Sequence, residues 1–142
     1  MDSVRVLIEF LTVIIALIAL LHTRKEYLSH KQTEYHKLLS QLNKRYVCNE
    51  DMQDVVRYLR DKEPSNKQPS LYQLEMFLRF FEELGLYMKT DSIKTEDIDR
   101  FFGFYLRQLY SSLRGKALLE QLGEEENDLE LLQLVKIKLK IK

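Results

Sequence analysis

The chain has 142 residues, with 22 Lys+Arg balanced by 22 Asp+Glu, and it carries four glycines, two prolines and one cysteine. Balanced charge leaves no basic footprint for nucleic acid, a lone cysteine excludes an intrachain disulfide, and scarce glycine and proline argue against a turn-rich β-sandwich. The composition is that of an all-α protein, and the residues beyond the first 22 suffice for one modest core.

Residues 6–21 read VLIEFLTVIIALIALL, an apolar run interrupted by Glu9. At 1.5 Å per residue the run reaches roughly 24 Å, against a bilayer hydrocarbon core of about 30 Å. That is short for a span but workable, because Arg5 can snorkel and the bilayer can thin locally. Arg5 and Glu9 are four apart and can pair on one helix face, which lowers the cost of the acid. An acid inside a span is a functional candidate by default, yet a place at the membrane edge beside Arg5 gives Glu9 a plainer role. Two alternatives compete with the anchor. A signal peptide needs positive charge before the run and a small-residue cleavage site after it; here the basic residues mostly follow the run, and LIALLHTRK offers no such site. A buried soluble helix needs apolar neighbours all round.

After the run come Arg24, Lys25, Lys31, Lys37, Lys44 and Arg45, whereas Arg5 alone precedes it. Basic residues stay on the cytoplasmic side, which predicts an inner-membrane protein with its N-terminus out and its domain in the cytoplasm. The expected layout is a transmembrane anchor at 1–22, a juxtamembrane helix at 23–48, a helical bundle at 49–123 and a charged C-terminal helix or tail at 124–142. Along the juxtamembrane helix Leu28, Tyr35 and Leu42 are seven apart, with Leu38, Leu39 and Tyr46 beside them. The stripe fits either a helix packed on its own domain or a short self-associating coiled coil.

Asn49 is placed to cap a helix that buries Met52, Val55, Val56 and Leu59. The polar stretch 62–70, with both prolines, is a loop and the expected site of proteolytic cleavage. Residues 71–113 hold six of the seven phenylalanines. Ser70 is an N-cap candidate, and Leu71, Leu74, Phe77, Leu78, Phe81, Leu84 and Met88 recur at helical spacing. Met76, Phe80 and Tyr87 lie off that stripe and predict a second face, free for a partner. Thr95 begins the next helix with Glu96 and Asp97 in its first turn, where acids suit the helix dipole. Ile98, Phe101, Phe102, Tyr105, Leu109 and Leu113 form its stripe, so the two segments make an antiparallel αα-hairpin with an aromatic seam. Phe104, absent from that stripe, joins the interaction candidates. Gly85 and Gly103 interrupt the stripes, as local helix ends or kinks or as points of close backbone approach. Glu124 to Asp128 would start a last helix. The ending VKIKLKIK alternates like a strand and leaves three possibilities: a helical or disordered tail, a basic amphiphile on the membrane, or an edge strand pairing in a dimer.

The pattern FLRFFEELGLYMKTDSIKTEDIDRFFGFYL resembles a group of small bacterial membrane-tethered proteins of unknown function, through Phe81, Glu82, Glu83, Leu84, Gly85, Ile93, Glu96, Asp97, Phe102 and Gly103. The resemblance is carried by residues 77–106, about a fifth of the chain, and implies a membrane helix followed by a helical cytoplasmic domain, with no activity attached.

No reaction is written in the sequence. His22, His30 and His36 do not share a helix face, as a zinc site requires. Cys48 has no histidine beside it to activate a thiolate. Glu82, Glu83, Glu96, Asp97 and Asp99 fit solvated or capping roles, and no phosphate loop, GxSxG or HExxH occurs. No catalytic, cofactor or metal residues are assigned, and neither a small-molecule substrate nor nucleic acid is indicated. The expected object is an all-α protein, one transmembrane helix followed by a small antiparallel bundle, with the lipid bilayer as partner. It would bind a protein or itself through Met76, Phe80, Tyr87 and Phe104, with Arg5, Glu9, Arg24, Lys25 and Lys31 flanking the membrane. The alternative is a membrane-perturbing effector whose spans assemble into a pore.

Overall fold

A computed structural model describes residues 2–60, 67–123 and 129–141. All regular structure among these residues is helical. Helix α1 runs without interruption over Asp2–Cys48, as expected of a stretch with no glycine or proline to break it. The chain divides into two units within this helix, Met1–Leu38 and Leu39–Lys142. In the first unit the apolar side chains are exposed, from Val4 at 63% to Leu28 at 53%. This helix is long and apolar enough to cross a membrane.

The second unit starts ten residues before the expected boundary at Asn49. Leu39, Leu42 and Tyr46 are buried, so the final turns of α1 belong to the bundle while Leu28 stays exposed. The apolar stripe of residues 28–46 thus serves the domain only at its far end.

Helix α2, Glu50–Arg60, begins where Asn49 Oδ1 accepts the Met52 amide at 3.0 Å. It buries Met52, Val55, Val56 and Leu59. Helix α3, Leu71–Lys89, opens with a reciprocal cap: Ser70 Oγ accepts from Gln73 N at 3.3 Å, and Gln73 Oε1 accepts from Ser70 N at 2.9 Å. Two orphan amides are satisfied at once. Gln73 also donates to Asp54 at 2.7 Å, tying the start of α3 to α2. At the other end Asp91 takes a left-handed φ of 53°. Ser92 N then donates to Tyr87 O at 2.9 Å and Asp91 N to Met88 O at 3.3 Å, which closes the helix by a Schellman turn without glycine.

Helix α4, Thr95–Ile98, passes through a π-helical segment, Asp99–Gly103, into α5, Phe104–Ser111. The wider π turn changes which residues face inward. Ile98, Phe102, Leu106 and Tyr110, spaced by four, are buried together with Leu109, whereas Phe101 is 44% exposed. Phe101 is therefore not part of the seam, and Leu106 and Tyr110, left out of the expected stripe, are. Leu113 is not in the seam either. Ser112 is extended and caps helix α6, Leu113–Leu122, by accepting from Gly115 N at 3.0 Å. Leu113 therefore begins a new helix and is 88% exposed.

Helix α7, Glu130–Lys138, settles the alternating ending as helix. Leu132, Val135 and Leu139 are buried, and α3 packs more extensively against α7 than against any other element. The expected start of this helix at 124–128 lies outside the described residues, as do residues 62–66 of the polar loop.

Candidate functional site

The seam of the bundle is a cluster of five rings. Tyr46 of α1 lies 5.2 Å from Phe80 and 5.4 Å from Phe102, and it also touches Phe77 and Phe81. Phe80 itself meets Phe102 at 5.2 Å and Phe81 at 5.6 Å. Edge-on and tilted contacts of this kind add to the area that the rings bury. Phe80 is only 2% exposed, so the expected second face of α3 is not free there. The end of α1 covers it, a contact that periodicity within α3 alone does not reveal.

Polar groups close over the cluster's edge. The Arg45 guanidinium stacks 5.2 Å above the Phe80 ring and pairs with Glu83. That hydrogen-bonded pairing raises the Arg45 pKa above its ordinary value, against the opposing effect of partial burial. Tyr87 is half-buried, and its hydroxyl donates to Glu83 at 3.4 Å. Met76 is half-buried as well. Inside the cluster, the buried Tyr46 hydroxyl has no hydrogen-bond partner among the described residues. Burial, with the neighbouring Tyr105, pushes its pKa well above the usual phenol range.

Glu82 has a capping role for a helix other than its own. Its carboxylate accepts from Leu131 N at 3.3 Å and Leu132 N at 2.5 Å, and α7 has no side-chain cap from its own N-cap residue, Leu129. One turn further along α3, a Cβ on Gly85 would collide with the Leu131 backbone and lie 2.9 Å from its Cβ. Close approach to α7 is therefore what Gly85 permits. Gly103 has a different reason: a Cβ there would strike the Asp99 carboxylate, which reaches along its own helix to Arg107 at 2.5 Å. Arg107 also donates to Leu139 O at 3.3 Å, holding the far end of α7.

With Phe80 used internally, the exposed phenylalanines of the bundle are Phe101, in the π segment, and Phe104, at the start of α5. Phe104 is 61% exposed and packs edge-on against Tyr105 at 5.0 Å. Phe101 lies one turn before it. Sequence periodicity missed Phe101 because a regular helix would have turned it inward. On the first unit Arg5 Nε lies 3.3 Å from Glu9, the expected i,i+4 pair, and Arg24, Lys25 and Lys31 are exposed. Cys48 is exposed. A cleft between α2 and α3 is lined by Asp51, Asp54, Arg57, Tyr58 and Gln73, but Gln73 and Arg57 bond to the Asp54 carboxylate, so these side chains cap and tie helices together. Among the described residues no group of three or more metal-ligating side chains converges.

Fold and surface together describe an all-α chain with one helix able to cross a membrane and a small bundle bearing an exposed aromatic pair. Compared with known families, curated proteins and solved structures, the chain gives no match.

Proposed function

We propose that this is a single-pass inner-membrane protein of bacterial type, whose cytoplasmic bundle binds a protein partner or a second copy of itself. The observation that carries the binding role is the pair Phe101 and Phe104, 44% and 61% exposed in a bundle that buries its other phenylalanines. Aromatic side chains are enriched at protein interfaces, because they bury a large area for few frozen torsions. The orientation rests on the basic residues that follow the span. The likeness to small bacterial membrane-tethered proteins supports the same layout. The residues carrying it include Phe81, Phe102 and Gly85, which make the seam and the approach to α7.

Topology is tested by reporters fused after Lys142. One that works only in the cytoplasm should be active, and one that requires export should be silent. Binding is tested by crosslinking the full chain in membranes and comparing it with Phe101→Ser/Phe104→Ser. The double variant should keep its helical content and lose the crosslinked species, and unchanged crosslinking would remove the aromatic pair from the interface. Collapse of membrane potential on expression would favour the alternative, in which assembled spans leak ions.

A further inference from the structure

Residues 135–141, VKIKLKI, alternate apolar residues with lysines. In an extended strand all four apolar side chains would share one face. Wound as helix α7 and its closing turn they divide. Val135 and Leu139, four apart, point into the core at 0% and 4% exposure, while Ile137 is 74% exposed. Ile141, four residues beyond Ile137, and Leu134, three before it, are half-buried, and Lys138 and Lys140 are exposed. The result is an aliphatic ridge flanked by lysines. Residues 131–141 contain no acid. Lysines near a helix C-terminus suit the dipole and need no further reason. Ile137 has no such reason, since within residues 135–141 the core takes Val135 and Leu139.

The edge is held in shape before anything binds. Ile141 N donates to Lys136 O at 2.9 Å and Lys140 N to Ile137 O at 3.1 Å, with Lys140 at φ 55°. This Schellman turn fixes the two exposed lysines beside the ridge. Arg107 donates to Leu139 O within the same turn, and Lys136 is held 4.0 Å above the Tyr110 ring.

We propose that this edge docks on an anionic lipid surface, with Ile137 entering the boundary between headgroups and acyl chains while Lys138 and Lys140 meet the headgroup charge. Lysine stems can lie along apolar surface with their ammonium groups in water, and basic residues with aliphatic neighbours are the composition of interfacial helices. Protein interfaces have the opposite composition, depleted in lysine and enriched in aromatic residues. One isoleucine and two lysines are too few to hold a free protein at a bilayer. The contact therefore rests on the reading that α1 spans the membrane, because a tether keeps the local concentration of lipid high.

The test uses the full chain, with Ile137→Cys in a Cys48→Ser background, labelled with an environment-sensitive fluorophore. The labelled protein is reconstituted into vesicles of phosphatidylcholine alone or mixed with phosphatidylglycerol, with a nitroxide quencher on the acyl chains. Quenching and a blue shift should appear with phosphatidylglycerol, and should fall to the phosphatidylcholine level in high salt or with Lys138→Glu/Lys140→Glu. A label at Leu113→Cys, an exposed apolar position outside the edge, should not respond. Absence of lipid-dependent quenching at residue 137, in a chain that resists alkaline extraction, would overturn the docking and leave the span reading standing. Release of the chain by alkali would remove the tether, and both readings with it. A blue shift that follows protein concentration in detergent would assign the edge to contact between copies and overturn the lipid proposal.

Discussion

Helices α3 and α7 pack on each other, yet they are specified in different ways. Helix α3 carries its own instructions: the Ser70–Gln73 cap, apolar residues at steps of three and four, and a Schellman turn at Asp91. Helix α7 has no side-chain cap from Leu129 and a sequence that alternates like a strand. Its N-terminal amides are satisfied by Glu82 of α3, its close approach is permitted by Gly85, and its C-terminal end is bonded by Arg107 of α5. Backbone groups at helix ends must find partners, and distant residues can supply them as well as local ones. An element capped from afar has no local signal to read.

The largest effects should come from the ring cluster. Phe81→Ala and Phe102→Ala should each lower stability by about 3–5 kcal/mol, the usual range for emptying a buried phenylalanine site. Phe80 is as buried as these two, so Phe80→Ala should cost a similar amount, although the pattern within α3 sets it apart. Chemical denaturation of the full chain in detergent, followed by circular dichroism, measures all three. A Phe80→Ala effect below about 1 kcal/mol would mean that α1 does not cover that side of α3.

The comparison sharpens at the caps. Glu82→Ala removes a charged acceptor from two amides of another helix and should cost about 1.5–3 kcal/mol, the range for hydrogen bonds to charged groups. Ser70→Ala removes a local cap and should cost about 1 kcal/mol. Amide hydrogen exchange separates them further. In Glu82→Ala the amides of α7 should lose protection before those of α3, while in Ser70→Ala only the first turn of α3 should open faster. Uniform loss of protection in both variants would mean that α7 does not fray independently of α3.

The same contrast explains how far the sequence could be read. The stripe of α3 from Leu74 to Met88, the caps at Asn49 and Ser70 and the apolar run of residues 6–21 rest on local spacing, and the structure keeps them, whereas Leu71, in the uncovered first turn, is 46% exposed and is not part of the stripe. Phe101 and Leu113 were misplaced because a π segment and the extended Ser112 shift the face of the following residues, and neither leaves a mark in hydrophobic periodicity. Phe80 was misplaced because its cover, Tyr46, comes from 34 residues upstream. Of the interaction candidates, Phe104 is the one at the surface, 61% exposed, while Met76 and Tyr87 are half-buried and Phe80 is buried. Its neighbour Phe101 became visible only with the wide turn in hand.

The smallest effect, with the opposite sign, tests a polar atom left within the otherwise apolar cluster. The contacts that hold α7 pair donors with acceptors, whereas the buried Tyr46 hydroxyl has no partner among the described residues. Leaving such a group unsatisfied costs on the order of 1 kcal/mol or more, so Tyr46→Phe should raise stability by about 1 kcal/mol while keeping the ring contacts. The pH dependence follows from the raised Tyr46 pKa. In the unfolded chain a tyrosine loses its proton near pH 10, while the folded bundle keeps Tyr46 protonated to higher pH. Above that point the unfolded state binds fewer protons than the native one, so stability must fall as pH rises. Below it both states are protonated, and Tyr46 contributes no slope. The denaturation midpoint should therefore fall less steeply across pH 10 for Tyr46→Phe than for the parent chain. Equal alkaline slopes, with no gain in stability at neutral pH, would show that the hydroxyl has water or a polar partner within reach.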